Sequence, residues 1–335
     1  MQLVPFGNTG LLVSRMCFGA WMFGKDRWNI GGVDESTARN LVDYAIEQGV
    51  NFFDTANVYS LGESEMMLGK ILHARRHRFI IATKVRGKMS DDPNDEGLSR
   101  RHIMQAAEES LKRLQTDYID LYQIHGWDCL TPLDETLRAL DDLVRQGKVR
   151  AIGCSNLAAW QIAESMRIAE KEHLTPFVSL QAYYSLVGRD LEYDLIPYCQ
   201  YRNLAIMTWS PLASGYLTGK YRRGEEGRRN RPPFDNMPPI DREKGEIVLD
   251  ALENVAKKHN TTMAPVALAW QFSKSITSVI MGVKTLTQLQ ENLAAEQLQL
   301  TAEDIATLDA SSKPSPLYPH WMIDFQNQTR QFYRR

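Results

Sequence analysis

The chain has 335 residues, with 39 Lys and Arg against 41 Asp and Glu, so its net charge is only −2. Hydrophobic residues make up 43% and charged residues 24%, the composition of an ordinary globular protein, and the near-zero charge offers no field to draw nucleic acid or an anionic membrane. No apolar run approaches the ~20 residues that span a bilayer, no signal peptide is visible in Met1-Gln-Leu-Val-Pro-Phe6, and Cys17, Cys129, Cys154 and Cys199 stand singly without metal-ligand spacing. A cytoplasmic protein with reduced thiols and no resident metal is expected.

In chain order, the first predicted element is a hairpin within residues 1–14. Leu3-Val4-Pro5 and Leu11-Leu12-Val13 flank the turn Gly7-Asn8-Thr9-Gly10. Eight apolar blocks follow, at 16–19, 51–54, 79–82, 119–124, 149–153, 178–181, 205–208 and 278–281. Short apolar blocks are how strands buried on both faces read. Between them lie amphipathic stretches such as 36–48, 99–114 and 136–146, with apolar residues three and four apart. Ser99 is placed to cap a helix start, and Gly49 and Gly147 to follow helix ends. Strand and helix in eightfold alternation, with no second cluster of strands, predict an α/β fold: a (β/α)8 TIM barrel in one domain spanning 1–335. A doubly wound sheet is the competitor, but it needs a GxGxxG turn that this chain lacks.

Connections at one end of the barrel read as short, as in Gln48-Gly49-Val50 and Gln146-Gly147-Lys148. At the other end they lengthen, at 21–34, 126–133 and 212–241. The last carries Arg222, Arg223, Arg228, Arg229 and Arg231 with Pro232, Pro233, Pro238 and Pro239. Long ordered loops are more often lids than spacers, a solvated excursion being the alternative. The tail 312–335 is a candidate specificity loop over the mouth.

Three successive blocks end in a polar residue: Asp54, Lys84 and His125, with Tyr59 just beyond the first. A charged residue at the C-terminal end of a buried strand has left the core for the mouth, where barrels of this kind do chemistry. The four types make a proton-donating set. Tyr59 can protonate a carbonyl oxygen, but a free phenol has a pKa near 10 and its anion needs a cation. Lys84 would supply that cation, Asp54 would hold it charged, and neutral His125 would donate a hydrogen bond to the substrate oxygen. Asp54 and Lys84 alone could be a structural ion pair, and His125 alone a core histidine; the combination argues for an active site. His73 and His77 have zinc-compatible spacing but no third ligand, and with Arg75, Arg76 and Arg78 around them they read as a solvated helix end. A GxSxG elbow is absent, and the arginine-rich loop is broken by Glu225 and Glu226.

With the pieces Gly49–Tyr59, Ile152-Gly-Cys-Ser-Asn156, Leu180-Gln181, Trp209-Ser-Pro-Leu212, Gly219-Lys-Tyr221 and Gln288-Leu-Gln-Glu-Asn292, the chain from Phe6 to about Leu308 resembles the aldo-keto reductases. It looks closer to the bacterial reductases and potassium-channel beta subunits than to mammalian aldose reductases. Ser60 departs from the pattern, where glycine commonly follows the tyrosine, and is expected to affect the loop rather than the chemistry. The resemblance implies an NADPH-dependent reductase of aldehydes or ketones, reversible as alcohol oxidation, with Tyr59 as proton donor and NADH as a lesser possibility. It implies a cofactor held by Ala20, Trp21, Asp54, Ser155, Asn156, Gln181, Trp209, Ser210, Pro211, Leu212, Ser214, Lys220, Gly282, Lys284, Gln288, Glu291 and Asn292. Trp21, Trp28, Tyr59, His125 and Trp127 would line the pocket for a small carbonyl substrate. The second reading is a channel-beta-like regulatory subunit that binds NADP(H) and senses redox state with little turnover. Neither nucleic acid nor membrane is an expected partner, and the oligomeric state is not legible.

Overall fold

The structure, a computed structural model, describes residues 1–25, 32–222 and 237–328. Leu3–Pro5 (β1) pairs antiparallel with Leu12–Ser14 (β2) as the expected hairpin. Eight parallel strands follow: β3 (Met16–Gly19), β4 (Phe52–Asp54), β5 (Ile80–Val85), β6 (Ile119–Ile124), β7 (Val149–Ser155), β8 (Phe177–Tyr183), β9 (Ala205–Trp209) and β10 (Ser278–Gly282). Each pairs with the next, and β10 pairs with β3 to close the barrel. The helices around it are α1 (Glu35–Glu47), α2 (Glu63–Leu72), α3 (Arg100–Leu114), α4 (Leu133–Arg145), α5 (Ala159–Glu172), α6 (Leu195–Arg202), α7 (Arg242–Lys258), α8 (Met263–Phe272), α9 (Leu286–Leu293), α10 (Ala302–Ser311) and α11 (His320–Asn327). The fold is the predicted TIM barrel.

Local signals explain the boundaries. The Asp34 side chain accepts from Thr37 N to start α1, and Ser99 accepts from His102 N to start α3. Gly49 and Gly147 follow α1 and α4 with φ of +87° and +73°, a left-handed turn that glycine adopts freely. Helix α4 begins three residues before the expected 136, with Asp134 and Glu135 in its first turn facing the helix dipole.

Strand alternation sorts side chains between two layers. Outward residues such as Phe53, Ile81, Tyr122, Ile124, Ile152 and Ile206 pack against the helices. Inward residues Cys17, Phe52, Ala82, Leu121, Ala151 and Met207 fill the lower barrel, where Phe6 and Val13 of the hairpin close the floor. Phe6 meets Phe52 edge-on with ring centroids 5.5 Å apart. Two residues further along the same inward rows stand Asp54, Lys84 and Gln123. Glycine is required beside them: a Cβ on Gly153 would lie 2.4 Å from Ser179 Oγ, and one on Gly19 2.7 Å from Ile280 Cγ2.

Two expectations need correction. The strand carrying Lys84 runs to Val85 rather than stopping at Ala82, so the lysine is a strand residue facing the barrel axis. Its connection to α3, 86–99, is a fourth long loop at the mouth. Arg76, expected in a solvated helix end, is buried: its guanidinium bonds to Asp120 Oδ2 at 2.6 Å and to the carbonyls of Phe79 and Tyr118. Trp28, Arg223, Arg228, Arg229, Arg231, Pro232, Pro233 and 329–335 lie outside the described residues. Among the described residues, no helix is long and apolar enough to cross a membrane.

Candidate active site

Strand β4 delivers Asp54 to the axis, and the chain then turns through Thr55 to a short 3-10 segment, Tyr59–Gly62. Strand β5 brings Lys84 in beside it. Lys84 Nζ donates to Asp54 Oδ1 at 2.6 Å, to the Thr55 carbonyl at 2.8 Å and to Tyr59 Oη at 3.3 Å. These three acceptors account for all three donors of an ammonium. Asp54 Oδ2 accepts from Gln181 Nε2 at 2.8 Å and, more weakly, from Gln123 Nε2 at 3.4 Å. Lys84 is fully buried and Asp54 nearly so. Unpaired, either charge would be prohibitively costly there; removing one partner of such a pair typically costs about 3–5 kcal/mol.

The electrostatics separate the roles. Burial pushes the Lys84 ammonium down, but Asp54 and Tyr59 together outweigh it and hold its pKa above the ordinary value. Burial raises the Tyr59 phenol, and Lys84 pulls it down without restoring the ordinary value. Tyr59 is therefore a protonated donor throughout the physiological range. His125 follows β6 directly, its N–H bonded to the Val85 carbonyl at 2.9 Å. Burial, with Lys84 and Arg86 adding positive charge nearby, lowers its pKa to about 3, leaving a neutral imidazole. The Tyr59 and His125 rings meet edge-on at 5.7 Å. Trp21 lies 6.4 Å from Tyr59.

Around this centre the other expected residues fall into three groups. Asn156, at the end of β7, donates to the His125 carbonyl at 3.0 Å and accepts from Trp209 Nε1 at 3.0 Å, bracing three strand ends. Trp209 packs on Tyr183 at 5.2 Å, and Ser155 Oγ is buried without a hydrogen-bond partner among the described residues. A second group is the turn after β9. Ser210, Ala213, Ser214 and Gly215 all have positive φ, between +48° and +88°, and Ser210 Oγ accepts from Ser214 N at 2.9 Å. Pro211 is buried and Lys220 exposed at the far end. The third group sits where β10 passes into α9. Gly282 ends the strand, Lys284 N donates to Gln288 Oε1 at 2.9 Å, Thr285 caps the helix, and Glu291 Oε1 accepts from Thr262 at 2.5 Å. Asn292 is buried beside them. Ala20 is buried at the end of β3, its N–H on the Asp54 carbonyl at 2.8 Å.

Trp127 stands two residues beyond His125, its carbonyl accepting from Arg86 Nε at 3.0 Å and its ring 5.7 Å from Trp160. Arg222 pairs with Asp250 and Glu253 of α7. The tail reaches the rim outside the barrel: Tyr193 Oη donates to the Ser315 carbonyl, His320 Nε2 meets Asp194 at 3.1 Å, and no residue of α11 is buried. Gln123, the Thr55 carbonyl and Arg86 were not anticipated. Gln123 alone left a signal, a polar residue in the inward register of an apolar block. Among the described residues, no three His, Cys, Asp or Glu side chains are grouped to hold a metal ion.

Residues 15–313 match the family model for the aldo/keto reductase family. Over 95% of this chain and 99% of its own length, the versiconal hemiacetal acetate reductase of Aspergillus parasiticus is 34% identical. The oxidoreductase YrpG of Bacillus subtilis is 38% identical over 92% of this chain and 95% of its own. A putative aryl-alcohol dehydrogenase of Schizosaccharomyces pombe is 36% identical over 93% and 95%. The chain belongs to the aldo/keto reductase family and is an oxidoreductase acting on carbonyl or alcohol groups.

Proposed function

We propose that this chain is an NADPH-dependent reductase of aldehydes or ketones, with Tyr59 as proton donor, and that it runs in reverse as an alcohol dehydrogenase. The observation that carries the reading is Lys84 Nζ between Asp54 Oδ1 at 2.6 Å and Tyr59 Oη at 3.3 Å, beside a histidine kept neutral. A bound nicotinamide supplies the hydride that no side chain can deliver. As charge develops on the carbonyl oxygen, neutral His125 donates a hydrogen bond to it and Tyr59 transfers its proton. Lys84 stabilises the phenolate left behind, and Asp54 keeps that ammonium charged and in place. Trp21, whose ring lies 6.4 Å from that of Tyr59, and Trp127, two residues beyond His125, are assigned to the walls of the substrate pocket.

The residues present fit a nicotinamide dinucleotide. Ser155 Oγ is buried without a hydrogen-bond partner among the described residues, and with Asn156 and Gln181 it would hold the carboxamide. Trp209 offers a flat face to the ring. Ser210, Pro211, Leu212, Ser214 and Lys220, on the turn after β9, are assigned to the pyrophosphate, with exposed Lys220 as the cation for it. Gly282, Lys284, Gln288, Glu291 and Asn292 are assigned to the adenosine end, with Lys284 as a cation for the 2′-phosphate that favours NADPH. Two aromatic walls, and a relative named as an aryl-alcohol dehydrogenase, favour a substrate with an apolar or aromatic body. A single domain working in the cytoplasm completes the reading.

The test is binding of NADPH and NADH followed by tryptophan fluorescence, then loss of the reduced-nicotinamide absorbance against a panel of aldehydes and ketones. NADPH binding tighter than NADH, with turnover of aryl or alkyl aldehydes, is expected. Tight binding with no turnover on any carbonyl would contradict the enzyme reading and favour a redox-sensing subunit.

A further inference from the structure

The turn that carries Tyr59 is strained. Ser60, Leu61 and Gly62 follow one another with φ of +46°, +53° and +93°, and only the last is glycine. Non-glycine residues hold such angles only where their surroundings over-determine them. The first turn of α2 provides that constraint through two fully buried polar side chains, Ser64 and Glu65. Ser64 Oγ donates to the Ala20 carbonyl at 2.7 Å and so accepts from Thr55 Oγ1, also at 2.7 Å. Glu65 accepts from Thr83 Oγ1 at 2.5 Å with one oxygen and from Arg113 Nε at 2.7 Å with the other. Thr55 follows Asp54 and Thr83 precedes Lys84, so the helix start is tied to the neighbours of both members of the ion pair. Arg113 also lies against the turn, leaving no room for a Cβ at Gly62, which would fall 2.5 Å from its Cδ.

We propose that Glu65, paired with Arg113, is a positioning residue for catalysis: it locks the strained turn so that the Tyr59 hydroxyl stays within reach of Lys84. The proposal rests on Tyr59 being the proton donor. Glu65 joins strand β5, helix α2 and helix α3 at one point, and Tyr59 is attached to α2 by only the strained residues. Loosening α2 moves the phenol while leaving Lys84 anchored by Asp54 and the Thr55 carbonyl. The groups facing Tyr59 are Lys84, Asp54 and His125, and those facing Glu65 are Arg113 and Tyr122. A purely structural ion pair between α2 and α3 is the competing account, and it predicts lost stability without altered chemistry.

The experiment compares Glu65→Gln, Glu65→Asp and Thr83→Val with the wild type in kcat, NADPH affinity and the pH profile of alcohol oxidation. Misplacement on the order of 1 Å costs about 10²-fold, so Glu65→Gln is expected to lower kcat by about 10- to 100-fold with NADPH affinity little changed. Tyr59 must be deprotonated to act in oxidation. Held further from Lys84, it should titrate about one pH unit higher, a tenfold loss of phenolate. Glu65→Asp should recover part of kcat. Thr83→Val leaves both charges paired and should shift kcat and the profile in the same direction by less; it decides the matter if Glu65→Gln does not fold. Wild-type kcat and pH profile in the folded variants, with only a lowered Tm, would overturn the proposal. Tyr59→Phe serves as the control: if it keeps turnover, the proton-donor reading fails, whereas if it is inactive while the Glu65 and Thr83 variants are normal, only the positioning role fails.

Discussion

The two ends of this barrel are built from the same inward-facing rows, two residues apart, and they are opposites. At the floor the rows present Phe52, Ala82 and Leu121. One step higher, on the same three strands, they present Asp54, Lys84 and Gln123, all buried. The floor is closed by a hairpin that inserts Phe6 and Val13 among apolar side chains and buries no charge there. The upper layer buries two charges and saturates them with Thr55, Gln181 and Tyr59. Replacing such a layer with well-packed apolar residues is often neutral or stabilising, so stability is a weak reason for its existence. The lower layer holds the barrel by packing, whereas the upper layer has its reason in the function proposed for it.

The comparison is broken most severely at the lysine. Lys84→Met should abolish turnover and, by leaving Asp54 buried without a counter-charge, cost about 3–5 kcal/mol, read as a fall in the denaturation midpoint. Adding Asp54→Asn should restore much of the stability and none of the turnover. Phe52→Ala at the floor should cost a similar 3–5 kcal/mol through a cavity, yet the folded fraction should keep its kcat. Loss of turnover in that variant as severe as in Lys84→Met would erase the distinction between the layers. Gly153→Ala forces a methyl onto Ser179 and should cost about 1–3 kcal/mol by overpacking, with kcat falling if Gln123 is displaced.

A smaller effect sharpens the chemistry. The Tyr59 pKa is raised and that of His125 is lowered to about 3. Reduction needs the phenol protonated and the imidazole neutral, so its kcat should be flat between about pH 6 and 8. Oxidation needs the phenolate and should rise with pH over the same interval. A bell centred near the ordinary histidine pKa would show that His125 titrates in turnover. The smallest effect is expected at Ser60→Gly. Relief of a left-handed residue is worth about 1 kcal/mol, offset by the entropy that glycine adds to the unfolded chain, so stability and kcat should both move little.

Asp54, Lys84 and His125 were legible because a polar residue ending an apolar block contradicts its surroundings, and the barrel was legible from eight such blocks. Gln123 was harder, since one amide inside Ile119–Ile124 reads as tolerated rather than required. Glu65 was invisible: an acidic residue in the first turn of a helix is explained by the helix dipole, and nothing local says that the fold buries it. Arg76 misled for the same reason, one cation among several whose burial depends on Asp120, distant in sequence. The strained turn could be inferred only indirectly, from Ser60 standing where glycine is usual. What the chain conceals are the contacts that tertiary packing makes between distant segments.

The most direct measurement is NADPH affinity and carbonyl-dependent NADPH oxidation for the wild type and Tyr59→Phe side by side. The account predicts similar affinity in both proteins and a loss of kcat by about 10²- to 10⁴-fold in the variant, as expected when only the positioned proton donor is removed. Equal kcat in the two proteins would contradict it.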